Sequence, residues 1–263
     1  MLGGVAERGV VSLGVAAAIG PELAGQLAPA VEEAGFHALW VNETPGTDAL
    51  AALEAAAATT TRLILATGIV PVDGRPAAQI SEEVAARGLP QERLVLGIGS
   101  GQTTVGALRL VRDGASHLRR TVSSKVVIGA LGPKMRRLAA DEADGVLLNW
   151  LTPAVAREQT DESHEASARA HVALYVRTAL EPAAHARLQA ETTNYARIPP
   201  YAANFARTGI RAEETVMDAA AQAIAERLEQ YRSSVDEVIL RAVTPHDTIE
   251  DYLRFIEQAR ALL

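Results

Sequence analysis

The chain has 263 residues, 48% of them hydrophobic and 22% charged, a formal net charge of −7 and no cysteine. A chain of this length buries about three quarters of its unfolded surface, so it needs neither disulfide nor structural metal, and thiol nucleophiles, zinc ribbons and redox disulfides are excluded. The acidic balance argues against nucleic acid or an anionic membrane as partner, because both demand a basic face, and 4% aromatic content leaves little for base stacking.

The first apolar run, Val10 to Ile19, is flanked only by Glu7 and Arg8, lacks a basic leader and is too short to span a bilayer. It reads as a buried strand, and a cytoplasmic protein is expected. Seven further runs follow, starting at Ala38, Arg62, Arg93, Lys125, Gly145, His171 and Glu237. They are nearly continuous in apolar character, the pattern of parallel strands covered on both faces. Helical stretches lie between them, opened by Pro21, Asp48, Pro76 and Pro133, and closed in two cases by Gly35 and Gly88. Eight βα units with right-handed crossovers make a closed (β/α)8 TIM barrel or a long doubly wound sheet, and the chain length is that of the barrel. The spacing is regular except over residues 181–236, which hold two to three helices between the seventh and eighth strands. With no linker composition in between, one domain over residues 1–263 is expected, this stretch being a helical excursion over the barrel.

Chemistry in such a barrel sits where the strands end. The second strand ends in Asn42 and Glu43, and a carboxylate there suits proton transfer. Glu43 has an equally good structural use, pairing with an arginine or capping the helix after Asp48. The third strand ends Thr67-Gly68-Ile69, where a glycine between β-branched residues marks either a close backbone approach to a flat ring or a bend in the barrel. In the fourth strand Gly97, Gly99 and Gly101 clear one face, and Ser100 and Gln102 offer hydrogen bonds; Thr104 stands where a dinucleotide fingerprint needs its third glycine. The fifth strand ends Ala130-Leu131-Gly132 and runs through Pro133 and Lys134 into a helix, which is either an anion cradle or a plain turn. Asn149 and Trp150 close the sixth strand and suit a heteroaromatic ligand. Arg177 and Arg241, at the ends of the last two strands, are candidates for phosphate or carboxylate binding or are solvated rim cations. The six histidines (His37, His117, His164, His171, His185 and His246) show no metal-ligand spacing and read as surface or capping residues; no metal site is expected.

The segments GFHALWVNETPGTDALAALEAAAATTTRLILATGIVPVDGRPA, GLPQERLVLGIGSGQ and GALGPKMRRLAADEADGVLLNW together resemble the bacterial luciferase-like family of flavin and deazaflavin oxidoreductases. The resemblance covers Val11 to Pro153 well and the rest more loosely. It implies a luciferase-like barrel, a homodimer, a small-molecule substrate, and coenzyme F420 or FMN at the C-terminal mouth. It also implies a non-proline cis peptide between Gly68 and Ile69 beneath the ring, and cofactor contacts from the fourth-strand glycines and the Gly132 region. The GPKM and ADGVLLNW blocks are closest to F420-dependent members, so an F420-dependent hydride transfer is the leading expectation. An FMN-dependent monooxygenase and a non-catalytic F420- or flavin-binding protein are the alternatives. Two features depart from the family pattern: the connection after the fourth strand is short, and Asn42 and Glu43 replace a histidine often found at the second strand's end.

Overall fold

The computed structural model describes residues 8–220 and 223–263. Eight strands form the barrel: β1 (Val10–Ala16), β2 (Ala38–Asn42), β3 (Ile64–Thr67), β5 (Leu94–Gly99), β6 (Lys125–Gly129), β7 (Gly145–Asn149), β8 (His171–Ala179) and β10 (Glu237–Ala242). Two short ones, β4 (Val70–Pro71) and β9 (Met217–Asp218), pair with the tops of β5 and β8. All pairings are parallel, and β10 pairs with both β8 and β1, so the sheet closes. That closure selects the (β/α)8 barrel over the doubly wound sheet.

The helices are α1 (Gly20–Ala34), α2 (Ala49–Thr59), α3 (Ala77–Ala86), α4 (Ala107–Thr121), α5 (Pro133–Glu142), α6 (Pro153–Ala166), α7 (His185–Tyr195), α8 (Pro199–Thr208), α9 (Ile224–Arg232) and α10 (Ile249–Arg260). Asp48 caps α2 by accepting from the Leu50 and Ala51 N–H groups, and Pro133 opens α5, in line with the start signals. The first strand stops earlier than its apolar run suggests. It ends at Ala16, and Ala17–Ile19 form a 3-10 turn leading through Gly20 at φ +78° into Pro21 of α1.

Side chains alternate across each strand. Outward residues such as Leu13, Leu39, Leu65, Leu96, Val146, Leu174 and Leu240 pack against the helices in the main core. Inward residues, including Trp40, Val127, Leu147, Tyr175 and Ile239, fill the barrel with a second, smaller core. Residues 181–236 hold α7, α8 and α9. Leu188 and Phe205 of the first two join Trp150, Val216 and Val243 in a third cluster beside the strand ends, so the excursion covers the mouth as expected. Among the described residues no helix is long and apolar enough to cross a membrane.

Candidate active site

The centre of the barrel is closed by Tyr175. Its ring meets Trp40 edge-on, with centroids 6.2 Å apart, and reaches across to β3, where a Cβ on Gly68 would lie 2.5 Å from the phenol oxygen. The Gly68–Ile69 peptide is cis, as the family resemblance implied. The Tyr175 hydroxyl is buried and has no hydrogen-bond partner among the described residues. Burial pushes its pKa well above the ordinary 10, with Arg241 and Arg177 opposing, so the phenol remains a hydrogen-bond donor at neutral pH.

The glycines of the fourth and fifth barrel strands are closely approached by other parts of the chain. A Cβ on Gly97 would stand 2.0 Å from the Thr67 carbonyl oxygen. The Thr67 hydroxyl also lies 2.9 Å from both the carbonyl and the N–H of Gly97. Above them the Ile69 side chain occupies the cleared face, at 2.9 Å from a Cβ on Gly99 and 3.0 Å from one on Gly129. Around the next turn a Cβ on Gly101 would meet the Asp73 carboxylate, which accepts from the Gln102 N–H at 2.8 Å. The Ser100 carbonyl accepts from the Thr103 N–H, so this loop is bound to the turn after β4 and to itself.

The other sequence candidates divide between the mouth and the scaffold. Glu43 takes the structural course: one carboxylate oxygen accepts from the Ala49 N–H at 3.0 Å and lies 3.3 Å from Arg75, which also meets Asp48 and Glu83. Burial is the chief influence and raises its pKa, against the Ala49 N–H and Arg75. Gly132 is the N-cap residue of α5, Lys134 is exposed on that helix, and the Ala130 N–H donates to Leu147. Asn42, Asn149 and Trp150 do come together at the mouth, gathered by the two arginines.

Arg177 on β8 donates to Asn149 Oδ1 at 2.5 Å and to Glu191 of α7 at 3.0 Å. Its guanidinium carbon lies 4.0 Å from the Trp150 ring centroid and 4.6 Å from that of Tyr195. Arg241 on β10 donates to Asn42 Oδ1 at 3.3 Å. Burial works against the charge of Glu191, but Arg241 and Arg177 outweigh it and hold the carboxylate below its ordinary pKa. Trp150, at φ +57° and 1% exposed, has an indole N–H without a partner among the described residues. The Tyr175 hydroxyl and the Trp150 indole N–H are thus two buried donors unanswered among the described residues.

Sequence reasoning missed Tyr175 and Glu191. Tyr175 was within reach, since it sits two residues before Arg177 and strand alternation puts both on the inward face. Glu191 lies on the excursion, where nothing local marks it.

A further cluster sits at the opposite end of the barrel. Buried Glu237 accepts from Ser12 at 2.5 Å and from the Trp40 indole at 2.6 Å, and its other oxygen lies 2.8 Å from His171 Nε2. His171, His164 and His185 are half-buried and each faces a carboxylate, a closer engagement than surface or capping positions imply, whereas His246 beside Asp251 is an exposed surface residue.

Residues 7–122 match the family model described as luciferase-like monooxygenase. Among solved structures, an F420-dependent secondary alcohol dehydrogenase in complex with an F420–acetone adduct superposes with a TM-score of 0.76 at 14% identity, covering 97% of this chain and 99% of its own. The coenzyme F420-dependent tetrahydromethanopterin reductase from Methanopyrus kandleri gives 0.70 at 15% identity, covering 98% and 99%. The oxygenating constituent of 3,6-diketocamphane monooxygenase from Pseudomonas putida, in complex with FMN, gives 0.68 at 10% identity, covering 95% and 96%. No curated protein sequence matches the chain. The luciferase-like resemblance therefore stands, in sequence over the first strands and in fold over nearly the whole chain.

Proposed function

We propose that this luciferase-like barrel is an oxidoreductase that binds a deazaflavin, coenzyme F420, at its C-terminal mouth and acts on a small organic substrate. The observation that carries the reading is the unpartnered Tyr175 hydroxyl, buried beneath the end of β3 and beside two arginines. A buried donor without an acceptor costs about 1–3 kcal/mol, and a ring that presents carbonyl or nitrogen acceptors recovers it. The residues present fit such a group: Tyr175 supplies a donor, Trp150 and Tyr195 flat apolar walls, and Arg177 positive charge.

The bound cofactor supplies the hydride chemistry, and the protein supplies position and electrostatics. Tyr175 donates a hydrogen bond from the barrel floor and, held neutral by burial, does not release its proton at physiological pH. Arg177 is locked by Asn149, Glu191 and two aromatic rings, so it presents its charge with little loss of side-chain freedom. The α7–α8 excursion places Leu188, Tyr195 and Phe205 over the strand ends, where they exclude water. In this reading Glu43 serves the scaffold, since one of its carboxylate oxygens holds the Ala49 N–H of α2 and Arg75.

An FMN-dependent monooxygenase with the same mouth is the second reading, supported by the FMN complex among the structural neighbours. Titration of the purified protein with F420 and FMN, followed by the fluorescence of each, separates the two. F420 is expected to bind more tightly. Tight FMN binding without F420 binding turns the reading to the monooxygenase, and binding of neither overturns both. Homodimerisation belongs to the same proposal, and sedimentation of the apoprotein at about twice the monomer mass is the expected result.

A further inference from the structure

We infer that the arginine pair at the mouth is a binding site for a carboxylate group carried by a small-molecule ligand, with Arg241 as the cation that receives it. Arg177 and Arg241 are direct register partners on adjacent parallel strands. Like charges placed opposite each other in a sheet are destabilising, yet both are directed to the inward face, and Arg177 is only 6% exposed. Such a pair needs anionic charge nearby. One carboxylate answers it, and unequally: Glu191 is 3.0 Å from Arg177 but 4.0 Å from Arg241.

The charge does not close. Two guanidinium groups face one carboxylate, which leaves one positive charge uncompensated in a largely buried place. Arg187, the next cation on α7, does not change this, because it is paired with Asp247 and the Thr244 carbonyl. The remaining contacts of Arg241 are neutral, namely Asn42 Oδ1 and the Ala242 carbonyl. Its outer nitrogen, 4.0 Å from Glu191, lies beyond hydrogen-bond distance of the only carboxylate paired with it among the described residues.

A single uncompensated charge on a planar fork selects a planar monoanion. A carboxylate takes two parallel N–H···O bonds from one guanidinium and brings the site to neutrality. The indole N–H of Trp150, whose ring centroid lies 4.0 Å from the Arg177 guanidinium carbon, is a second, independent observation beside the pair, since it is buried and finds no acceptor among the described residues. Glu191 lies close enough to compete for Arg241, so it opposes the incoming anion.

As a statement about substrate this rests on the oxidoreductase reading, but as a statement about binding it does not, so the test uses no cofactor. Sodium propionate is titrated into the protein at constant ionic strength while tryptophan fluorescence is followed, Trp150 lying 4.0 Å from the Arg177 guanidinium. Saturable binding is expected, with none from the neutral isostere propionamide and at least threefold weaker binding of inorganic phosphate. Glu191→Gln is expected to bind propionate about tenfold more tightly and Arg241→Gln at least tenfold more weakly. Arg241→Lys, which keeps the charge and loses the fork, serves if the glutamine variant does not fold, and is expected to bind at least fivefold more weakly. Equal binding by wild type and the Arg241 variant that folds, weaker binding by Glu191→Gln, or tighter binding of phosphate or propionamide overturns the assignment. Propionate binding without F420 or FMN binding would leave this site standing while the oxidoreductase reading fell.

Discussion

Ile69 stands over Gly99: its Cδ1 would lie 2.9 Å from a Cβ at that position, and its Cγ2 would lie 3.0 Å from one at Gly129. The strand-end glycines are thus explained by a side chain of the same chain, whose position is set by the turn after Thr67. Gly99→Ala is expected to cost about 1–3 kcal/mol, the usual range for overpacking. Because the obstruction is the far end of a side chain, Ile69→Ala in the same molecule is expected to recover part of the loss in a double-mutant cycle read by denaturant unfolding. Gly97→Ala meets the Thr67 carbonyl oxygen at 2.0 Å, a backbone atom, so no such rescue is expected there.

The contrast between Gly99 and Tyr175 shows how far the sequence could be read. Eight apolar runs, their proline and aspartate helix starts and the crossover rule lead to the barrel, because strand and helix periodicities are local. Strand alternation also places Arg177 and Arg241 inward, though not that they are register partners. What fills the face cleared by Gly97 and Gly99 is not local: it depends on a turn thirty residues earlier folding Ile69 back over β5. The Glu237 cluster was hidden for the same reason, since Ser12 and Glu237 are separated by 225 positions and meet only through barrel closure.

The Glu237 cluster gives the pH dependence a clear sign. Burial disfavours its charge, but His171, Ser12 and Trp40 outweigh that and lower its pKa below the ordinary 4.5. A carboxyl group depressed in the folded state stabilises above its unfolded pKa, and the contribution is lost as pH falls through the folded value. Glu237→Gln is expected to cost about 2–3 kcal/mol at pH 7, the range for hydrogen bonds to a charged group. The gap in unfolding free energy between wild type and variant should hold from pH 7 to about 5 and narrow below pH 4.5. A gap that widens below pH 4.5 would show that the carboxylate is not what these partners stabilise.

Glu43 behaves in the opposite sense. Its pKa is raised above 4.5, chiefly by burial, so the native state holds this proton more tightly than the unfolded chain does. Its contribution to stability therefore grows as pH falls through the folded value and is smallest at neutral pH. Glu43→Gln keeps an acceptor for the Ala49 N–H and is expected to change stability at pH 7 by no more than about 1 kcal/mol. Cofactor affinity should stay within twofold of wild type. A tenfold loss of turnover in a variant with unchanged melting temperature would place Glu43 in the chemistry after all.

Tyr175 offers the sharpest separation of stability from function. Its hydroxyl is buried without a partner and lies where a Cβ on Gly68 would collide with it. Tyr175→Phe removes an unsatisfied donor while keeping the ring that packs on Trp40, so the unfolding free energy of the apoprotein is expected to rise by about 1 kcal/mol. If the hydroxyl answers a cofactor acceptor, the same substitution weakens F420 binding by about tenfold, the equivalent of about 1.4 kcal/mol. Because burial keeps the phenol protonated, wild-type affinity should not show a loss from its ionisation between pH 7 and 9. A variant that gains stability and binds F420 as wild type does would make Tyr175 a packing residue only. One that loses stability would mean that the hydroxyl is satisfied within the protein, and the mouth would then have to hold its ligand through the arginines and Trp150 alone.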